Sequence, residues 1–323
     1  MRGRGSILAN TYHHAEFQDK QRLVDLKRRQ GLKVSLAFPT LNEAATIAKE
    51  VLVLKTELME RFPLLDEIAV IDSGSTDETR AVAARFGAAV YSSAEILKGC
   101  GSFRGKGENL WKSLYVLSGD IVVWIDADIS NIAPKFVTGL IGPLLERPHL
   151  DYVKAFYERP LRGTGGLAPS GGGRVTEVLV RPLFSLFYPE LAELVQPLSG
   201  EYAGRRSLLE SLPFSVGYGV EVGHLIDILH SRGCTCIGQV DLDLRVHRNQ
   251  SVQALSRMSF GILRTFLRRL EKYGEVERLK ELNSSHIALE VLEARHGAVA
   301  TEISAEERPP IIEIKEYRRK FSR

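Results

Sequence analysis

Cysteine is scarce: the 323 residues hold three, Cys100, Cys234 and Cys236. An odd, sparse count excludes a disulfide framework and fits a reducing compartment. Cys234 and Cys236 form a CxC with no second Cys or His pair at zinc spacing. They read as two same-face residues of a buried strand rather than a zinc site. Long apolar runs are missing too. No stretch reaches the ~18 residues of a membrane span. The N-terminus carries Arg2 and Arg4 but not the apolar core of a signal peptide. A soluble, cytoplasmic protein without stable membrane insertion is expected. Strong charge of one sign is also absent. Lys and Arg number 43 against 40 Asp and Glu, a net +3, so no global field points to nucleic acid. The excess is local, with eight Lys/Arg in residues 1–33 against Glu16, Asp19 and Asp25. What remains is 44% hydrophobic and 26% charged, a profile that can bury a full core without staples.

The chain then divides by pattern. Residues 1–30 read as a polar arm ending in a helix, with Phe17, Leu23, Val24 and Leu26 as a narrow apolar stripe. Such a stripe is too thin for a domain, so the arm is expected to dock on the body or on a second subunit. Lys33 to Phe38 reads as a buried strand stopped by Pro39. A helix follows over 43–62, with Ile47, Val51, Leu54 and Leu58 at helical spacing. Strands are predicted at 67–71, 88–91 and 121–125, and helices at 77–86 and 105–117. This alternation predicts a mostly parallel, Rossmann-like α/β sheet flanked by helices, its nucleotide-binding part spanning 31–130. Ligands of such sheets bind beyond the carboxyl ends of the strands, here after Phe38, Ile71 and Ile125.

The second half loses that rhythm. Six glycines fall within 163–173, a flexible loop. Helices are predicted at 175–195, interrupted by Pro182, and at 220–231. A strand is predicted at 234–246, with Asp241 and Asp243 on one face. An amphipathic helix at 252–273 turns Leu255, Phe260, Leu263, Phe266 and Leu270 inward. Its Arg257, Arg264, Arg268 and Arg269 form a solvated face. Residues 131–275 read as a smaller acceptor-binding and catalytic region. Residues 276–323 read as a C-terminal helix with a charged, mobile tail.

Three constellations carry chemistry. Pro39-Thr-Leu-Asn-Glu43 presents polar groups at the sheet's carboxyl edge, where they suit a nucleobase or ribose; a helix N-cap region looks the same. Asp72-Ser-Gly-Ser-Thr-Asp77 is a strand-to-helix turn, a nucleotide cradle, or both. Asp126-Ala-Asp128 is the sharpest. Carboxylates at i and i+2 share one face of an extended segment, and Val122-Val-Trp-Ile125 aims them at the binding edge. There they can hold a divalent cation against a diphosphate.

In this order P-x-L-N-E, D-S-G-S-T-D and D-x-D resemble a GT-A glycosyltransferase. Gly171-Gly-Gly-Arg-Val-Thr-Glu177, Pro197-Leu-Ser-Gly-Glu201, Tyr218-Gly-Val-Glu221 and His247-Arg-Asn249 narrow the resemblance to the glucosyl-3-phosphoglycerate synthase family. That family includes mannosyl-3-phosphoglycerate synthases, and the similarity runs from about residue 15 to 275. It implies donor contacts from Pro39, Thr40, Leu41, Glu43, Asp72, Ser73, Asp126 and Ala127, with Lys106 by the diphosphate. Asp128 and His247 are the implied ligands of a divalent metal, Mg2+ or Mn2+. Gly173, Arg174, Thr176 and Asn249 match the acceptor pocket. Glu221 matches the carboxylate by the transferred sugar, and Leu198 a loop whose backbone lies by the reacting hydroxyl. Arg174 suits this task because its fork of donors fits a phosphate.

The resemblance implies transfer of glucose or mannose, with retention, from a GDP- or UDP-linked sugar to the 2-hydroxyl of 3-phosphoglycerate. The product is a charged compatible solute or a saccharide precursor, and the enzyme is a homodimer. Ala127 stands where glucosyl members carry serine, so the donor sugar stays open. A polyprenyl-phosphate sugar transferase would share the first three motifs. A non-catalytic sugar-nucleotide sensor would need neither Asp128 nor the acceptor residues.

Overall fold

The structure, a computed structural model, describes residues 5–158, 161–163, 166–168, 173–246, 251–277, 279, 282–292 and 295–322. The first half follows the strand–helix rhythm: β1 (Thr11–His13), α1 (Lys20–Gln30), β2 (Val34–Thr40), α2 (Ile47–Lys55), β3 (Glu67–Asp72), α3 (Thr79–Arg85), β4 (Ala89–Ser92), α4 (Lys106–Val116), β5 (Ile121–Trp124) and α5 (Lys135–Glu146). The second half adds β6 (Tyr152–Glu158), β7 (Leu161–Gly163), β8 (Gly166–Ala168), α6 (Arg181–Phe187), β9 (Tyr202–Arg205), α7 (Arg206–Leu209), β10 (Phe214–Ser215), α8 (Val220–Arg232) and β11 (Ile237–Leu244). It closes with α9 (Val252–Lys272), β12 (Ser285–Leu292), β13 (Arg295–Glu302), β14 (Glu307–Arg308) and α10 (Lys315–Phe321).

Eight strands form one sheet in the order β1-β11-β6-β9-β5-β2-β3-β4. Neighbours run parallel, except that β9 is antiparallel to both β5 and β6. The sheet is buried on both faces, and the period-2 alternation of its strands sorts residues between two cores. From β5, Val122 and Trp124 join Trp111 and Leu225 on one side, while Ile121, Val123 and Ile125 join Phe38 and Phe136 on the other.

Several sequence expectations are corrected. Pro39 does not stop β2, which runs to Thr40. Alternate residues of a parallel strand bond alternate neighbours. Thr40 accepts from Ser73 on the β3 side and Ala37 from Ile125 on the β5 side. The N–H that Pro39 lacks therefore points toward β5, which has already left the ladder. Pro182 does not interrupt the helical path: it lies at the start of α6, and a π-turn over Thr176–Val180 leads directly into it. Cys234 and Cys236 sit on a buried 3-10 turn before β11 rather than on the strand. Asp243 leaves the face of Asp241. Its φ is 62°, and the register shifts between Asp241 and Leu244.

The arm also adds a strand. β1 pairs with β11, and Phe17 fills the space that a Cβ on Gly142 would take. Arg269 is buried rather than solvated, held by Asp227 at 2.8 Å and Glu307 at 2.6 Å. Described residues of the tail pack on the body. Arg308 bonds the fully buried Glu108, and buried Tyr317 donates to Glu210 at 2.8 Å. Two charges of this tail, Glu307 and Arg308, meet the buried Arg269 and Glu108, a pairing that composition alone does not reveal.

Candidate active site

The carboxyl ends of β2, β3 and β5 open onto a cavity of about 1000 Å³. Its near wall is the donor segment predicted from sequence: Pro39, Thr40, Leu41, Glu43 and Ser73, then Lys106, Asp126, Ala127 and Asp128. Two loops are laced together to make that wall. Asn42 takes a left-handed φ of 59°, a conformation asparagine tolerates. Its N–H donates to Ser75 Oγ at 2.8 Å, and its side-chain oxygen accepts from Thr76 N at 2.9 Å. Asp72 lies behind the wall. It is 1% exposed and accepts from Gly74 and Ser75 N–H, each at 2.9 Å, and from the hydroxyls of Thr40 and Ser75. Its carboxylate builds the turn that presents Ser73, whose hydroxyl meets Asn109 at 2.9 Å.

At the end of β5 two cations interleave with four carboxylates. Lys106 Nζ lies 2.7 Å from Asp126 and 2.9 Å from Glu221. Burial works against its charge, yet Asp126 and Glu221 together hold it well above the ordinary lysine range. Arg245 reaches Asp128 at 2.7 Å, Glu201 at 3.0 Å and Asp126 at 3.4 Å. Burial opposes its charge as well, and Glu201, Tyr157, Asp128 and Asp126 overcome it. Glycines allow the close approach. A Cβ on Gly107 would meet Ser215 O at 1.8 Å, and one on Gly200 would meet Asp126 Oδ2 at 1.9 Å.

One turn of α2 grips the loop that bears Asp128. Thr46 donates to Ala127 O at 2.5 Å, Lys49 to Ser130 O at 2.7 Å, and Glu50 accepts from Ile129 N at 2.8 Å. Glu50 is fully buried, and that burial pushes its pKa well above the usual carboxylate range. Asp126 and Asp128 supply hard oxygen donors at a point where the protein already places a cation, Arg245. That donor set fits Mg2+ or Mn2+.

The acceptor segment starts at Gly173, whose φ of 82° needs glycine. Arg174 follows, exposed, and Thr176 is buried. Among the described residues Gly173, Arg174, Thr176, Leu198 and Glu221 do not line the cavity itself; Glu221 joins it through Lys106. His247 and Asn249 lie outside the described residues.

Sequence reasoning assigned no role to Arg245, Glu201, Glu50, Gly200 or Lys154. Glu201 lies within the Pro197–Glu201 motif, and Lys154 is a charge within an apolar run. Arg245 and Glu50 left no signal, because partners more than 40 positions away define them.

A parallel sheet whose carboxyl edge carries a carboxylate pair beside a nucleotide-sized cavity defines a nucleotide-sugar glycosyltransferase of the GT-A class. The profile of the glycosyl transferase family 2 matches residues 35–210. Glucosyl-3-phosphoglycerate synthase of Petrotoga mobilis is 57% identical over 318 residues, covering 98% of each chain. The crystal structure of mannosyl-3-phosphoglycerate synthase from Rubrobacter xylanophilus matches with a TM-score of 0.88 at 39% identity, over 97% of this chain and 99% of that one. Glucosyl-3-phosphoglycerate synthase from Mycobacterium tuberculosis, crystallised with Mn2+, uridine diphosphate and phosphoglyceric acid, matches with a TM-score of 0.82 at 37% identity, over 95% and 99%. The chain belongs to the family of glucosyl- and mannosyl-3-phosphoglycerate synthases.

Proposed function

We propose that this chain transfers glucose from uridine-diphosphate glucose to the 2-hydroxyl of 3-phosphoglycerate, with retention of the anomeric configuration. The observation that carries the reading is the alternation of charge at the end of β5, where Lys106 and Arg245 interleave with Asp126, Asp128, Glu201 and Glu221. Mannose is the second donor reading, supported by Ala127 within the D-x-D and by the likeness to the Rubrobacter enzyme.

In this reading the 39–43 segment and Ser73 hold the nucleoside, and Lys106 faces the diphosphate. Asp128 and His247 hold the cation; when bound, it neutralises the charge that develops on the leaving diphosphate. Glu221 orients the sugar's hydroxyls. Gly173, Arg174, Thr176 and Asn249 seat the phosphoglycerate, and the backbone at Leu198 lies by the attacking hydroxyl. Ion pairing lowers the nucleophilicity of all four central carboxylates. That favours front-face attack, with the departing phosphate oxygen accepting the hydroxyl's proton, over a covalent sugar–enzyme intermediate. Residues 31–130 thus serve the donor, and 131–275 the acceptor and the transfer.

The test is turnover of uridine-diphosphate glucose with 3-phosphoglycerate under chelation. Activity is expected to vanish with chelator and to return with Mg2+ or Mn2+; full activity in chelator would refute the reading. A homodimer in the cytoplasm completes the proposal. Three free thiols fit that compartment, and among the described residues no helix is long and apolar enough to cross a membrane. Light scattering at micromolar protein checks the dimer, which a monomeric mass would exclude.

A further inference from the structure

Lys154 lies in the middle of β6, 1% exposed. Its Nζ donates to Ser199 O at 2.9 Å and sits 4.3 Å from the centroid of the Tyr202 ring. The polar groups packed nearest to it are poorly matched. The hydroxyls of Tyr152, Tyr202 and Ser199 and both ring nitrogens of His224 are buried and find no hydrogen-bond partner among the described residues. An ammonium has three protons to donate, and among the described residues one hydrogen bond is made. Burying such a charge is costly, and an apolar side chain of similar length would be the more stable occupant.

The carbonyl it binds belongs to the 197–201 segment. That segment is stitched to β6 at further points: Ala155 N–H donates to Glu201 O at 3.0 Å, Tyr157 OH to the Glu201 carboxylate, and Gln196 to Tyr157 O at 2.5 Å. Glu201 then meets Arg245, and Gly200 abuts Asp126. Lys154 is the cationic anchor of this set, one residue from Leu198.

We propose that Lys154 is a positioning residue, fixing the 197–201 segment through the Ser199 carbonyl so that the backbone at Leu198 meets the acceptor hydroxyl. This rests on the role given to Leu198 above. The lysine is retained for turnover and at a cost to stability. Its charge faces Glu221 and His224 from α8, Lys106 from α4, Asp126 after β5, and Glu201 from the segment itself, with Tyr152 and Tyr202 alongside. Burial pushes its pKa down to about 7; Glu221 opposes that fall and Lys106 adds to it. A folded-state pKa below the unfolded one means the unfolded chain holds the proton more tightly. The stability cost is therefore full below about pH 7 and fades as pH rises from there toward the ordinary lysine value.

The experiment compares wild type with Lys154→Met, measuring kcat, both KM values and the melting temperature of the apo protein at pH 6 and pH 9. The variant is expected to lose about tenfold or more in kcat, the size of a lost charge-assisted hydrogen bond. Both KM values should stay within about threefold, as expected where the loss falls on transition-state stabilisation rather than on substrate binding. Its melting temperature should exceed wild type at pH 6, by a margin that narrows at pH 9. A kcat within about twofold of wild type would overturn the proposal. So would a variant that melts lower or fails to fold, since Lys154 would then be structural. If wild type itself forms no glycosylated 3-phosphoglycerate, the functional reading fails instead, and the two failures are distinct.

Discussion

Replacing Asp128 with alanine is expected to abolish sugar transfer while the protein stays folded. Metal neutralisation of a leaving diphosphate supplies several kcal/mol of transition-state stabilisation. At 1.36 kcal/mol per decade, its loss lowers kcat by on the order of a thousand-fold. The fold survives for a local reason. Asp128 is partly exposed, and the buried Arg245 keeps Glu201 at 3.0 Å and Asp126 at 3.4 Å. The loop also stays gripped by Thr46, Lys49 and Glu50, all through backbone atoms. The check is initial rate alongside Mn2+ binding by electron paramagnetic resonance and a thermal melt. A variant with wild-type turnover, or one that binds Mn2+ unchanged, would remove Asp128 from the metal site.

Arg174→Ala is expected to raise the KM for 3-phosphoglycerate by roughly ten- to a hundred-fold, since a hydrogen bond to an ion is worth about 1.5–3 kcal/mol and 1.4 kcal/mol is one decade. Donor affinity should hold, because the nucleoside wall is built from Pro39, Thr40, Leu41, Glu43 and Ser73, at the carboxyl ends of β2 and β3. Lysine at this position should rescue only partly, a point charge replacing a planar fork. Initial rates against acceptor at saturating donor, with calorimetric donor titration of both proteins, decide the matter. Lost donor affinity with an unchanged acceptor KM would move Arg174 to the donor site.

Local signals in the sequence were enough for the four strands β2 to β5 and for the edge they share, because each is a short apolar run followed by turn chemistry. The strands β6, β9 and β1 were not legible. β6 interrupts its apolar run with Lys154, and β9 is four residues long with Gly204 inside. β1 has value only as an edge partner for β11, more than 220 positions away. The same distinction governs the site. Asp126 and Asp128 announce themselves by spacing, whereas Arg245 and Glu201 matter through contacts set by tertiary packing. Asp72 is the converse case. A residue singled out for the ligand spends its carboxylate on the turn that shapes the wall. The tail from 300 onward reads as mobile because it is charged and carries Pro309-Pro310, yet Arg308 and Tyr317 bury their polar ends against Glu108 and Glu210.

The identity of the product tests the proposed transfer most directly. Purified enzyme, Mg2+, 3-phosphoglycerate and a panel of uridine- and guanosine-diphosphate sugars can be incubated and the product resolved by NMR. The expected product is an α-linked hexose on the 2-hydroxyl of 3-phosphoglycerate, formed fastest from uridine-diphosphate glucose. An inverted β-linkage, attachment elsewhere, or release of free sugar without a glycosylated phosphoglycerate from any donor would contradict it.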